Sequence, residues 1–432
     1  MHKNTDITID SITKIEGNAQ LDVKIREGKV DKLEFIIADY RRFYTEAVKG
    51  KPYAAVPSIL SRICGTCSMA HLFASIKAIE NALEISEEIS EQTRTLRKLA
   101  INGMMIRDHS LHLYIFSLPD VLGIDSVLDI PETNQEQHQL LHDAFDLKAI
   151  GNKLSTIFAG AAVHSPFPVV GGFTRFPENN FTALINELEE SREKALRGIK
   201  VFFDWEIELK RNTDFMALVN KDYNFTEGKI KNSNGDTFEE NQFRDLLEEI
   251  IVPYSQSKSY TLKSNHEDYL VGALARCNLN LSNMHPRTLD SVKGYLGFFP
   301  STNIYDNCLS QALETLHCID QSIDILKNLK LEQEPPVLVT PKGGIGIGVI
   351  EAPRGTLYHK IELDAKGIVI DSDVIVPTSQ NQINIENDLM KMFQDYMNKK
   401  SEDELKQEAE QIIRAYDPCM SCSTNFLKIN YT

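Results

Sequence analysis

Apolar residues recur at three- and four-residue spacing over 58–83, 90–117, 137–160, 181–211, 306–330, 384–398 and 402–415, and that period predicts helices. A different rhythm governs 6–10 and 20–38. There apolar and polar residues alternate around Glu27-Gly28, as in a small antiparallel sheet with a hairpin turn. Residues 356–377 read as a second hairpin, turning at Ala365-Lys366-Gly367. Gly171-Gly172 and Pro177 break the chain between two long helices. Residues 213–268 are polar, and Asn232-Ser-Asn-Gly-Asp236 predicts an exposed loop. The expected class is α+β, mainly α: a long-helix bundle core with small peripheral antiparallel β elements, hairpins at about 6–38 and 356–377. No repeat and no clear linker interrupts it.

The chain has 432 residues, 42% hydrophobic and 25% charged, close to the globular norm. It carries 46 basic against 62 acidic residues, a formal charge of −16. That balance argues against a nucleic-acid binder and against an anionic-membrane binder. No stretch approaches the roughly 18 apolar residues of a bilayer span. The opening MHKNTDITID lacks the apolar segment of a secretory signal, so no direct membrane insertion and a cytoplasmic location are expected.

Seven cysteines remain, an odd number that fits poorly with a disulfide framework. Four of them form two C-x-x-C pairs, in Arg62-Ile-Cys64-Gly-Thr-Cys67-Ser-Met-Ala-His71 and in Asp417-Pro418-Cys419-Met-Ser-Cys422. Two thiols three positions apart at the start of a helix point at one ion, and helix N–H groups favour the thiolate. Pro418 stops the preceding helix and presents the second pair from a turn. Four soft ligands suit zinc, iron–sulfur, copper(I) or nickel. The pairs lie near opposite ends of the chain and must meet if they share a site, which favours a single interleaved domain over 1–432.

These residues carry a resemblance. R-x-C-G-x-C-x-x-x-H and D-P-C-x-x-C resemble the two metal signatures of nickel–iron hydrogenase large subunits, and six further segments fall in that family's order. Lys14-Ile-Glu16-Gly17 resembles its R/K-I-E-G, and Asp108-His109-Ser-Leu-His112-Leu-Tyr114 its D-H-x-x-H-x-Y. His164 followed by Gly171-Gly172 resembles H-P-x-x-x-x-x-G-G, with Ser165 in place of proline. Val271-Gly-Ala-Leu-Ala-Arg276, Glu351-Ala-Pro353-Arg354-Gly355 and Val376-Pro377-Thr378 with Asn381 complete the set.

The resemblance implies reversible hydrogen oxidation and proton reduction at a nickel–iron centre whose iron carries carbon monoxide and two cyanides. It makes Cys64 and Cys419 terminal nickel ligands, and Cys67 and Cys422 bridging ones. It implies that Glu16 relays protons and that Arg354, Asp108 and Asp417 lie above the open side of the metals. His71, Pro353 and Thr378 flank the cofactor: His71 is expected to bond the Cys67 sulfur, and Thr378 a cyanide. The bland alternatives are a solvated Glu16, a structural Arg354 ion pair, a turn hydroxyl at Thr378 and a core histidine at His71. His109 and His112 read as core packing, and Cys277, Cys308 and Cys318 as packing thiols.

The resemblance thins at two positions of one ion site. A magnesium-type ion bound by many relatives is not expected, because Thr45 falls where a glutamate ligand belongs, with Glu46 one step off, and Asn425 replaces a terminal histidine. No spaced cysteine set remains for a cluster chain, so electrons are expected to leave through an iron–sulfur small subunit and further electron-transfer subunits. Gly343-Gly-Ile-Gly-Ile-Gly348 does not fit G-x-G-x-x-G, so neither flavin nor nicotinamide binding is expected here, and the glycines read as close backbone packing. The competing readings are a noncatalytic relative, like the complex I quinone-module subunit, and a zinc-stapled interaction protein.

Overall fold

A computed structural model describes residues 4–39 and 43–424. Strands β1 (Asn4–Ile9), β2 (Ala19–Arg26) and β3 (Lys29–Ile37) form an antiparallel sheet in that order. Glu27 and Gly28 both take positive φ at its tight turn, as the alternating pattern predicts. Four long helices follow: α1 (Ser68–Ala82), α2 (Glu91–Ser110), α3 (Gln135–Ala159) and α4 (Thr182–Phe203). A π-helical stretch, Leu111–Ser117, prolongs α2.

Next come β4 (Asp214–Val219), β5 (Lys229–Asn232), β6 (Thr237–Phe238), β7 (Leu247–Ile251), β8 (Lys258–Leu262) and β9 (Tyr269–Leu270). Helix α5 (Ala273–Asn280) leads to α6 (Asp306–Asn328), buried along most of its length. Strands β10 (Gly344–Ala352), β11 (Gly355–Leu363) and β12 (Val369–Ile375) make a second three-stranded antiparallel sheet. Helices α7 (Pro377–Tyr396) and α8 (Glu402–Ala415) end the regular structure before the final cysteines. No helix is long and apolar enough to cross a membrane.

One hydrophobic cluster joins α1, α2, α3, α4 and α6; another packs the N-terminal sheet against α7 and α8. The mainly helical α+β class therefore holds. Four local expectations need correction. The apolar period over 58–83 is not one helix: Cys64 is extended (φ −144°, ψ 143°), and α1 begins only after Cys67. Residues 213–268 hold short strands, two to six residues long, too brief to register as a sustained alternation. Helix α4 stops at Phe203, and α7 starts at Pro377, where proline suits the first helical position.

The glycine run is a strand. A Cβ built on Gly346 would lie 1.9 Å from the Ala78 carbonyl oxygen, and one on Gly348 2.3 Å from that of Ala74. Strand β10 thus lies directly on the α1 backbone, which the close-packing expectation anticipated.

A candidate metal centre

The second cysteine pair is delivered by strand-like pairing with the N-terminus. Glu16 and Cys419 form a parallel bridge, and the Met420 N–H donates to the Glu16 carbonyl at 3.0 Å. Gly17 makes the approach possible: its φ is +83°, and a Cβ there would lie 2.7 Å from Met420 Cβ. The first pair sits on the loop into α1, with Cys67 at its N-cap position.

Four sulfurs meet. Cys64 Sγ lies 3.4 Å from Cys419 Sγ, Cys67 Sγ 3.3 Å from Cys422 Sγ, and Cys419 Sγ 2.7 Å from Cys422 Sγ. All four are buried and free of disulfides, with ligand atoms within 4.8 Å of one another. Burial pushes the Cys419 and Cys422 thiols well up, whereas hydrogen bonds from the other thiols, Cys419 foremost, hold Cys64 well down. The protein alone does not support four thiolates here; a soft polycation does. The donor set therefore fits a thiolate-bound metal centre.

Beside the sulfurs stands Glu16. Its Oε2 lies 3.1 Å from Cys419 Sγ and accepts the Ser421 N–H at 3.1 Å, while Oε1 accepts the Ser421 hydroxyl. Burial, the largest influence, raises its carboxyl above the usual range. It is no solvated strand-end charge.

Arg354 lies in the turn between β10 and β11, next to Gly355, where a Cβ would stand 2.7 Å from the Gly272 nitrogen. Its guanidinium is 4% exposed and forks to Asp108 at 2.6 Å and Asp417 at 2.9 Å. Asp417 adopts φ +51°, unusual for a non-glycine residue, and Gln311 Nε2 donates to it at 2.9 Å. Arg354 Nε and Asp108 Oδ1 are buried without hydrogen-bond partners.

Thr378 Oγ1 accepts the Cys419 N–H at 2.8 Å, leaving its own proton free to donate. The Pro353 carbonyl accepts from Arg276 at 3.0 Å. His71 directs Nδ1 to His359 Nε2 at 3.1 Å; both rings are buried, and desolvation lowers both, His71 to about 4.

His109 bonds Glu314 at 2.9 Å, and His112 bonds Gln311 at 2.5 Å and the Arg414 carbonyl at 2.7 Å. Cys277, Cys308 and Cys318 are buried outside the four-thiol group. Asn425, which bears on the magnesium-type ion, lies outside the described residues; Glu46 is exposed and pairs with Lys49.

Sequence reasoning passed over Arg107, Gln311, Glu314 and His359. Arg107 donates to the Thr66 and Ala162 carbonyls. Glu314 takes Arg276 through both oxygens at 2.6 and 2.7 Å. A signal existed for Arg107 and Glu314, since each is a charge inside an otherwise apolar helical stretch, where burial demands partners.

Comparison with known proteins agrees with this geometry. The family described as nickel-dependent hydrogenase matches residues 42–143 and 253–425. Sulfhydrogenase 2 subunit alpha of Pyrococcus furiosus is 31% identical over 426 residues, covering 98% of this chain and 100% of that one. The NAD-reducing hydrogenase HoxS subunit beta of Cupriavidus necator is 26% identical over 469 residues, covering 98% and 95%. Among solved structures, an NAD+-reducing [NiFe]-hydrogenase in the H2-reduced state superposes with a TM-score of 0.84 at 22% identity, covering 97% of this chain and 99% of that one. The Ni-Fe-Se hydrogenase of D. vulgaris Hildenborough gives 0.77 at 19% identity, covering 98% and 100%. Those two likenesses establish the fold, and the family match over more than half the chain establishes kinship: this chain belongs to the nickel-dependent hydrogenases, as a large subunit.

Proposed function

We propose that Cys64, Cys67, Cys419 and Cys422 hold a nickel–iron centre, Cys64 and Cys419 as terminal nickel ligands, Cys67 and Cys422 bridging to an iron that carries carbon monoxide and two cyanides. The convergence of the four buried sulfurs carries this reading. When bound, such a centre supplies Lewis acidity and an acceptor for the electron pair of hydrogen. Overall, one hydrogen molecule yields two protons and two electrons, and the reverse.

The chain's own residues handle the protons. The Cys419 thiolate takes the first proton, and Glu16 Oε2, 3.1 Å away, receives it. Ser421 holds that carboxylate from two sides and fixes its orientation. Arg354, forked between Asp108 and Asp417, presents a rigid positive charge at the open side. Thr378 Oγ1 holds the Cys419 backbone and keeps a proton for a cyanide nitrogen.

Electrons leave through an iron–sulfur small subunit, joined by further electron-transfer subunits, in a cytoplasmic assembly. One interleaved catalytic unit spans 1–432, supported by Glu16 meeting Cys419 from opposite ends of the chain. Nickel and iron analysis of the purified assembly, with infrared bands of carbon monoxide and cyanide, tests the proposal. Nickel, iron and those bands are expected. Zinc alone, or no metal, would overturn it.

A further inference from the structure

We propose that Arg107 is the second countercharge of the metal centre, a positioning residue that fixes the Cys64–Cys67 loop and biases the centre's redox potential. The inference rests on the metal-centre reading above and concerns a residue outside its catalytic set.

Arg107 is 5% exposed, on α2 immediately before Asp108. Its Nη2 donates to the carbonyl of Thr66, inside the Cys64–Cys67 loop, and its Nη1 to that of Ala162. Among the described residues it forms no ion pair. A buried guanidinium without a carboxylate partner is costly unless some anion offsets it. Burial opposes its charge most strongly; Asp108, then Cys67 and Cys64, favour it, and Arg354 opposes it. Asp108 Oδ2 pairs with Arg354, which holds Asp417 as well, and Arg107 makes its hydrogen bonds to the two carbonyls instead.

Arg354 with its two carboxylates sums to −1, and Arg107 brings that set of four to neutral. Its backbone is pinned there: a Cβ on Gly151 of α3 would lie 2.6 Å from the Arg107 nitrogen and 3.0 Å from its Cβ. Helix packing thus aims the guanidinium at the first cysteine loop, where the Thr66 and Ala162 carbonyls accept from it.

Removing that charge leaves one extra negative charge near the centre, which favours its oxidised form. The midpoint potential should fall, and carbon monoxide and cyanide stretches should move to lower wavenumber as the iron becomes more electron-rich. At fixed potential the reduced-to-oxidised ratio should drop by about tenfold, the scale of one charge acting through protein rather than water.

The experiment compares wild type with Arg107→Met and Arg107→Lys in the complete hydrogenase, by metal content, infrared spectra and redox titration. Wild-type metal content and bands test the underlying reading; the variants test Arg107. Arg107→Met is expected to shift bands and potential as stated, and Arg107→Lys to stay near wild type. Loss of metal in Arg107→Met with retention in Arg107→Lys also supports the charge requirement. An unshifted Arg107→Met, or an Arg107→Lys that shifts or loses metal as fully as Arg107→Met, would overturn it.

Discussion

The Glu16 carboxylate stands 3.1 Å from Cys419 Sγ and is held by Ser421 through both a backbone and a side-chain donor. A carboxylate accepts or donates according to its ionisation, and so relays protons; an amide of the same shape does not. Glu16→Gln is expected to keep nickel and iron while slowing hydrogen oxidation and evolution by about 10²-fold or more, the usual scale of general acid–base contributions. Undiminished rates in both directions with a normal infrared signature would return Glu16 to a structural role.

Cys67 and Cys422 face each other at 3.3 Å. Serine at either position removes a soft ligand from the proposed bridge. Nickel and iron in the purified Cys67→Ser or Cys422→Ser protein should fall to background, read by elemental analysis. A fully loaded, active variant would refute the ligand assignment.

Arg354 serves two buried carboxylates with one planar fork. Lysine keeps the charge but cannot reproduce both contacts. Turnover of Arg354→Lys should drop about 10²- to 10³-fold, the effect of losing a preorganised donor, with metal content retained. Wild-type turnover would assign the arginine to structure alone.

Glu386 ties α7 to β3. It accepts from the Phe35 N–H at 3.0 Å and from Tyr254 at 2.8 and 2.9 Å, and burial lifts its carboxyl from 4.5 to about 7. Between those values the folded protein binds more protons than the unfolded chain, so stability is full below pH 4.5 and is lost as pH rises through about 7. The loss is on the order of 3 kcal/mol. Thermal melting from pH 5 to 8 should show Glu386→Gln gaining on wild type as pH rises. Parallel curves would contradict the assignment.

The contact of β10 with α1 leaves no room for a methyl group at Gly346. Gly346→Ala should lower stability by more than about 2 kcal/mol, visible as a depressed melting temperature. An unchanged transition would mean that strand and helix separate at little cost.

Legibility varied with the range of the signal. Long amphipathic helices such as α4 and α8 are visible because their period persists over several turns, and Glu27-Gly28 because a hairpin turn demands positive φ. The strands within 213–268 are short and gain their apolar faces only against neighbours, so composition there looked merely polar. The break before α1 was hidden too: apolar spacing runs on through 58–83, although Cys64 is extended.

The chain by itself determined which residues carry the chemistry: two C-x-x-C pairs, a K-I-E-G glutamate and an E-A-P-R-G arginine, all readable as local strings. Tertiary structure decided what each of them touches. Only folding brings Glu16 onto Cys419, sets Arg354 between Asp108 and Asp417, and turns His71 toward His359. The partners Arg107, Gln311 and Glu314 belong to no motif singled out in advance. Local spacing records which side chains a turn or helix face presents, whereas a buried charge finds its counterion across the core, between residues that no sequence window contains.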